Sequence, residues 1–147
     1  KLADNRRVVV GSPDYFRRHG RPSSPDELSR HNCLAISSAG SQRGWTFRQN
    51  GKNLTVKVAG NMGCNDGAVL HDWSLAGKGL AWRSMWEVGS ELESGQLETV
   101  LDEFASQGND IYAVFAQRQH LPLRIRTFVD FLRRAFAEPD YWKKKRK

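Results

Sequence analysis

The chain has two cysteines in 147 residues, Cys33 and Cys64, and they make neither a C-x-x-C pair nor a disulfide framework. That excludes a stapled secreted scaffold and a thiolate zinc site, and two isolated thiols point to a reducing, cytoplasmic compartment. No apolar run approaches the ~20 residues that span a bilayer, and no secretory leader is visible, so no membrane partner is expected. His19, His31, His71 and His120 are scattered, without H-E-x-x-H spacing, so neither a metal nor a cofactor is expected. Ser12 has no G-x-S-x-G elbow, and the glycines at 77 and 79 make neither a P-loop nor a dinucleotide fingerprint. His71 and Asp72, adjacent on one helix, point in different directions and do not make an acid/base dyad. An enzyme is therefore not expected.

The net charge of +7 suggests nucleic acid until its location is considered. Residues 143–147 carry five basic side chains, and the 23 basic residues less these five leave 18 against 16 acidic ones. A terminal basic run reads first as a solvated tail, and the aromatic residues lie at core-like spacings rather than between exposed basic ones. At this length the chain can bury roughly 70% of its unfolded surface.

Apolar periodicity and turn chemistry give alternating strands and helices, with no internal repeat. Residues 6–11 read as a strand, and Ser12, Pro13 and Gly20 as cap, first turn and stop of a short helix. Ser24 with Glu27 reads as a capping box starting another short helix, followed by a strand over 33–37 and a loop over 39–44. Residues 45–48 and 54–58 flank Asn50 and Gly51 as a hairpin with one wet face, joined by a gap longer than two residues. Asp66 caps a helix whose apolar positions Val69, Leu70, Trp73 and Ala76 recur at helical spacing, and Gly77 ends it. A buried strand over 79–82 follows. Ser84 and Glu87 then form a second capping box, opening a helix that stops near Gly95. Beyond it come a strand over 97–101, a connector over 102–109 and a strand over 111–116. Pro122 lies in the first turn of a helix with the stripe Ile125, Phe128, Val129, Leu132 and Phe136, leaving Arg124, Arg126, Arg133 and Arg134 mostly outward. The class is α/β, a layered sheet with an attached antiparallel hairpin.

Several landmarks recur in a fixed order. They are Leu2 and Ala3 before Val8, Val9 and Val10; Ser12, Pro13, Asp14, Tyr15 and Phe16; His19, Gly20, Arg21 and Pro22; and Pro25, Asp26, Glu27 and Leu28. Then come His31, Asn32, Cys33 and Leu34; Trp45, Thr46, Phe47 and Arg48; Asn65, Asp66 and Gly67; and Ala76 through Lys78, Gly79, Leu80 and Ala81. The order closes with His120, Leu121, Phe128, Val129, Asp130, Phe131 and Leu132. In this arrangement the chain resembles the effector-binding (substrate-binding) domain of bacterial LysR-type transcriptional regulators. The resemblance implies a periplasmic-binding-protein-like type 2 fold, two α/β lobes joined by crossing strands around a ligand cleft. It assigns residues 1–106 to the distal lobe and 107–138 to the return strand and C-terminal helix of the proximal lobe, with 139–147 a basic tail. It also implies a parent with an N-terminal helix-turn-helix, of which this chain is a fragment, and a homo-oligomer that reaches DNA through that missing domain. On this reading Phe128, Val129, Leu132 and Phe136 lack their usual sheet. Leaving four such side chains bare costs about 6 to 12 kcal/mol, so they are expected to find cover on the distal lobe, a second copy or the rest of the parent.

The two helix starts at Asp66 and Ser84 follow strand ends, where open α/β sheets hold ligands and free N–H groups favour anions. The resemblance puts both joints at the cleft edge, making Cys64, Asn65, Asp66, Trp82, Arg83 and Ser84 the candidate effector-binding residues. Arg83 suits a carboxylate and Trp82 an aromatic or aliphatic body. The plainer reading makes Asp66 and Ser84 simple caps, Trp82 core and Arg83 a surface charge; on the effector reading Arg83→Ala should weaken effector binding while leaving the melting temperature nearly unchanged. The family often has a proline at the place of Ser84 after two aliphatic residues; Trp82 and Arg83 narrow and charge the pocket and tilt the expectation to a small polar or anionic effector. Cys33, inside an apolar strand, reads as buried and inert. A stand-alone solute-binding protein or α/β enzyme is the alternative.

Overall fold

Val8, Val9 and Val10 are β-branched and apolar on both sides of the chain, the pattern of a strand covered on both faces. They form β1 (Arg7–Gly11) in a computed structural model that describes residues 1–36, 44–106, 109–115 and 122–138. The remaining strands of the main sheet are β2 (Cys33–Ile36), β5 (Gly63–Cys64), β6 (Leu80–Ser84) and β7 (Glu98–Val100), in the order β5-β2-β6-β1-β7. β2 runs parallel to β5 and β6, whereas β1 runs antiparallel to β6 and β7. A separate hairpin consists of β3 (Gly44–Gln49) and β4 (Lys52–Lys57).

Each face of the sheet buries its own apolar layer. Val9, Cys33, Ala35 and Leu80 pack with Tyr15 and Phe16 of α1 (Pro13–His19), with Leu28, and with Trp45 and Phe47 of the hairpin. Val8, Val10, Leu34 and Ala81 face the other way, against Leu70 of α2 (Gly67–Leu75) and Val88 of α3 (Met85–Glu93). The period of two along β6 thus sends Trp82 towards the first layer and Arg83 towards the helices.

Local chemistry explains most element ends. Ser12 Oγ accepts the Tyr15 N–H at 3.2 Å, and Gly20 (φ 77°) closes α1 by donating its N–H to the Phe16 carbonyl. The hairpin turn is tighter than expected. Gln49 pairs with Lys52, so Asn50 and Gly51 alone make the turn, and their positive φ angles, 51° and 77°, suit the twist of a two-residue loop. Trp45 and Phe47 point inward while Leu54 and Val56 stay half-buried, leaving the outer face wet.

Four expectations are corrected. The segment after Ser24 is a 3₁₀ helix (Pro25–Arg30), and Ser24 makes no capping bond. Glu27 instead accepts the Ser23 N–H at 2.7 Å and the Ser23 hydroxyl at 3.1 Å, so the link closes one residue earlier. Val69 turns outward on α2, where Leu70 and Ser74 are the buried positions. No strand runs from 111 to 115; Ile111 makes one isolated bridge to Ala3, with the Ile111 N–H donating to the Ala3 carbonyl at 2.9 Å. Pro122 is the N-cap of α4 (Leu123–Ala137), one step before the first turn, and its carbonyl accepts the Ile125 N–H at 2.9 Å. The landmarks at His120 and Leu121, residue 116, most of the 39–44 loop and the 139–147 tail lie outside the described residues.

α4 buries no residue completely. Ile125, Val129, Leu132 and Phe136 are half-buried, while Phe128 and Phe131 are each 58% exposed. The expected stripe is therefore covered on one side only.

Candidate functional site

The parallel strands β2 and β6 end side by side, and the start of antiparallel β1 lies next to them. Because Arg7 pairs with Ser84 and Val9 with Trp82, Arg7 and Trp82 stand on the same face of neighbouring strands, offset by one pleat. Trp82 meets Trp45 from the hairpin, ring centroids 6.5 Å apart at an interplanar angle of 27°. The Arg7 guanidinium carbon lies 4.6 Å from the Trp82 ring centroid. These side chains, with Leu34, Ala35, Ile36, Gly44, Leu70 and Arg83, line a cavity of about 120 Å³. Ile36 at the end of β2 is 53% exposed, an apolar lip on its rim.

Arg83 is the buried cation of the site, only 7% exposed. Its Nη2 lies 3.2 Å from Glu87 Oε2, and that same oxygen accepts the Ser84 N–H at 3.2 Å. One carboxylate oxygen therefore serves both the capping box of α3 and the guanidinium. Arg83 Nε is buried without a hydrogen-bond partner among the described residues. The guanidinium also packs against the first residue of α2, where a Cβ on Gly67 would lie 3.1 Å from Nη1 and 3.2 Å from Nη2. Arg83 is thus no surface charge. Two helix starts converge on it.

The other predicted residues surround this point without all entering the cavity. Cys64 stands opposite Ile36 in the β2–β5 register, and its thiol donates to the Asp66 carbonyl at 3.0 Å. Asp66 is exposed and caps α2, its Oδ1 accepting the Ala68 N–H at 2.7 Å. Asn65 is exposed beside it. Ser84 begins α3, and its hydroxyl accepts from Asn5 Nδ2 at 3.3 Å. Trp82 and Arg83 line the cavity directly, Cys64, Asn65 and Asp66 lead into α2 at its flank, and Ser84 holds the segment where Asn5 also donates to the Asn109 carbonyl.

Sequence reasoning missed Arg7, Ile36 and Trp45. Arg7 and Ile36 sit at strand ends, which is a weak signal; nothing local to Trp45 marks it, because its position depends on how the hairpin docks. Away from the cavity, His71 faces Glu91 of α3 rather than Asp72, Nε2 to Oε1 3.6 Å. Among the described residues no three His, Cys, Asp or Glu side chains converge on a metal-sized site, and no helix is long and apolar enough to cross a membrane.

Comparison with known proteins places this geometry in context. A sequence model described as the LysR substrate binding domain matches residues 1–137. The HTH-type transcriptional activator TtdR of Escherichia coli (strain K12) is 36% identical over 132 residues, covering 89% of this chain and 42% of TtdR. The HTH-type transcriptional regulator DmlR of the same organism is 37% identical over 139 residues, 94% of this chain and 45% of DmlR. The solved structure of CrgA, a LysR-type transcriptional regulator from Neisseria meningitidis, superposes with a TM-score of 0.77 at 30% identity, over 93% of this chain and 47% of that one. The chain spans less than half the length of these proteins.

Proposed function

Since the chain belongs to the LysR substrate-binding domain family, a periplasmic-binding-protein-like type 2 fold, we propose that it is the effector-sensing part of a DNA-binding transcriptional regulator. The observation that carries this reading is the cavity at the ends of β2 and β6, where buried Arg83 meets the start of α2 beside Trp82. A small polar or anionic metabolite enters there, contacting Trp82 and Arg83, with Cys64, Asn65, Asp66 and Ser84 around it. Residues 1–106 supply the distal wall of the cleft, and residues 107–138 return to a proximal lobe completed by the rest of the parent. Effector binding shifts the balance between open and closed lobes, and a homo-oligomer passes that shift to DNA held by an N-terminal helix-turn-helix of the parent.

No catalytic step is assigned to the site: the Glu87 carboxylate beside it is engaged by the Arg83 guanidinium and the Ser84 N–H, and the cationic and aromatic groups bind and orient. The relatives are regulators, which disfavours a stand-alone solute binder or enzyme. The parent belongs in the cytoplasm, where its DNA is.

The test is a metabolite screen on the parent protein, following melting temperature and tryptophan emission. A compound that raises the former and changes the latter, and loses both effects when Arg83 is replaced by Met, is the expected result. A hit whose affinity is the same in that variant places the effector elsewhere.

A further inference from the structure

The two arginines of the cavity differ in how their charge is balanced. Arg83 has Glu87 at 3.2 Å. Arg7 has no carboxylate or carbonyl partner among the described residues; it rests on the Trp82 ring, with its planar fork half-buried at the cavity wall. A guanidinium on an indole face keeps its in-plane N–H donors free, and those donors match the two oxygens of a carboxylate. Trp82 meanwhile is engaged by both Arg7 and Trp45, so an aromatic ligand would have to displace one of them to stack there.

We propose that Arg7 is the anion-receiving residue of this cavity, and that the ligand group it selects is a compact carboxylate on one or two carbons rather than a ring. This deepens the effector reading and rests on it. The Trp82 face holds the Arg7 fork in place, and buried Arg83 adds a positive field from behind without giving up Glu87. The charge left over for a ligand is then the single one on Arg7.

Three probes in nuclear magnetic resonance titrations of the ¹⁵N-labelled chain test it: acetate, its neutral isostere acetamide, and phenol, with the Trp82 and Trp45 indole N–H and the Arg7 Nε–H signals followed. Acetate is expected to move the Trp82 and Arg7 signals saturably while acetamide and phenol do not. Arg7→Gln is expected to weaken the acetate response at least tenfold and Arg7→Lys, which keeps charge but loses the fork, by less; Arg124→Gln on exposed α4 leaves it unchanged. If acetamide or phenol moves Trp82 as readily as acetate, or both Arg7 variants respond like the parent chain, the assignment to Arg7 is overturned and the cavity still binds ligands. If none of the three probes moves either tryptophan, the assignment to Arg7 is overturned, while the effector reading is decided by the screen on the parent protein.

Discussion

The Arg83 guanidinium occupies the space that a side chain at Gly67 would need, with Nη1 3.1 Å from the position of the missing Cβ. The first residue of α2 is bare, which leaves room for a buried cation from β6 to lie against the helix start, although the N–H groups there repel it. The Glu87 carboxylate on the other side makes that placement tolerable.

Gly67→Ala therefore forces Arg83 to shift by a few tenths of an ångström, and Gly67→Val forces more. The valine variant is expected to lose about 1–3 kcal/mol in urea unfolding, as overpacked sites do. Gly89→Ala, inside α3 with open space around its Cβ, is the contrast and should gain about 0.5–1 kcal/mol. Equal effects at the two glycines would remove the steric role given to Arg83.

Glu87→Ala removes a capping partner and the counter-charge of a buried guanidinium in one step. A loss of about 2–4 kcal/mol is expected, more than the ~1 kcal/mol of a cap alone. For the same reason Arg83→Ala lowers stability too, contrary to the expectation, drawn with the effector reading, that the melting temperature stays nearly unchanged. Arg83→Met, which keeps the bulk, is the gentler variant. Denaturant titration of the four proteins checks the order.

Tyr15 accepts the Asn32 N–H at 3.1 Å, so its own O–H is left to donate to His31 Nδ1, also at 3.1 Å. That bond requires neutral His31. Burial first, then the neighbouring His19, holds the His31 pKa below its ordinary 6.5, with Glu27 opposing. Because the folded chain takes up the proton less readily than the unfolded one, this contribution is complete above pH 6.5 and is lost as pH falls through the lowered value. In unfolding free energies measured between pH 8 and pH 5, His31→Gln should show a shallower decline than the parent chain. Parallel curves would assign the acid sensitivity to other groups.

Burial pushes the Cys33 thiol up to about 12 from 9.0. The folded chain holds that proton more tightly, so the stabilisation is full below pH 9 and disappears as pH rises from 9 towards 12. Cys33→Ala should flatten this alkaline loss. With a disulfide reagent at pH 8, half-exposed Cys64 should label in the native chain and Cys33 only on unfolding. Two rapidly reacting thiols would contradict the packing of β2.

Phe128 and Phe131 stand out from α4. Replacing both by Ser should leave the unfolding free energy of this chain within about 0.5 kcal/mol, the range for exposed sites. If a second copy covers them, the same change should abolish dimerisation in sedimentation; if the rest of the parent does, the chain is monomeric before and after and only the parent is weakened.

What the sequence disclosed was set by range. The caps at Ser12, Asp66 and Ser84 and the turn at Asn50 and Gly51 depend on side chains within a few residues, and each lies where it was expected. Ser24 failed because Ser23, one step earlier, was the better partner for Glu27. The strand over 111–116 failed because apolar residues with strand propensity need a neighbour along their length, and Ile111 has Ala3 for a single bridge. Within the candidate site, Trp82 and Arg83 were legible from their place at a strand end. Arg7 and Trp45 were not, since they reach Trp82 only through the β1–β6 register and the docking of the hairpin.

The place of β1 also dictates an order of events during synthesis. Its two neighbours are β6 and β7, so Val8, Val9 and Val10 leave the ribosome long before either partner exists. The β3–β4 pairing needs only local residues, whereas the main sheet waits for Leu80–Ser84 to emerge. Until then three valines present an unpaired, sticky edge. The yield of native protein should accordingly depend on how quickly translation covers the stretch between them.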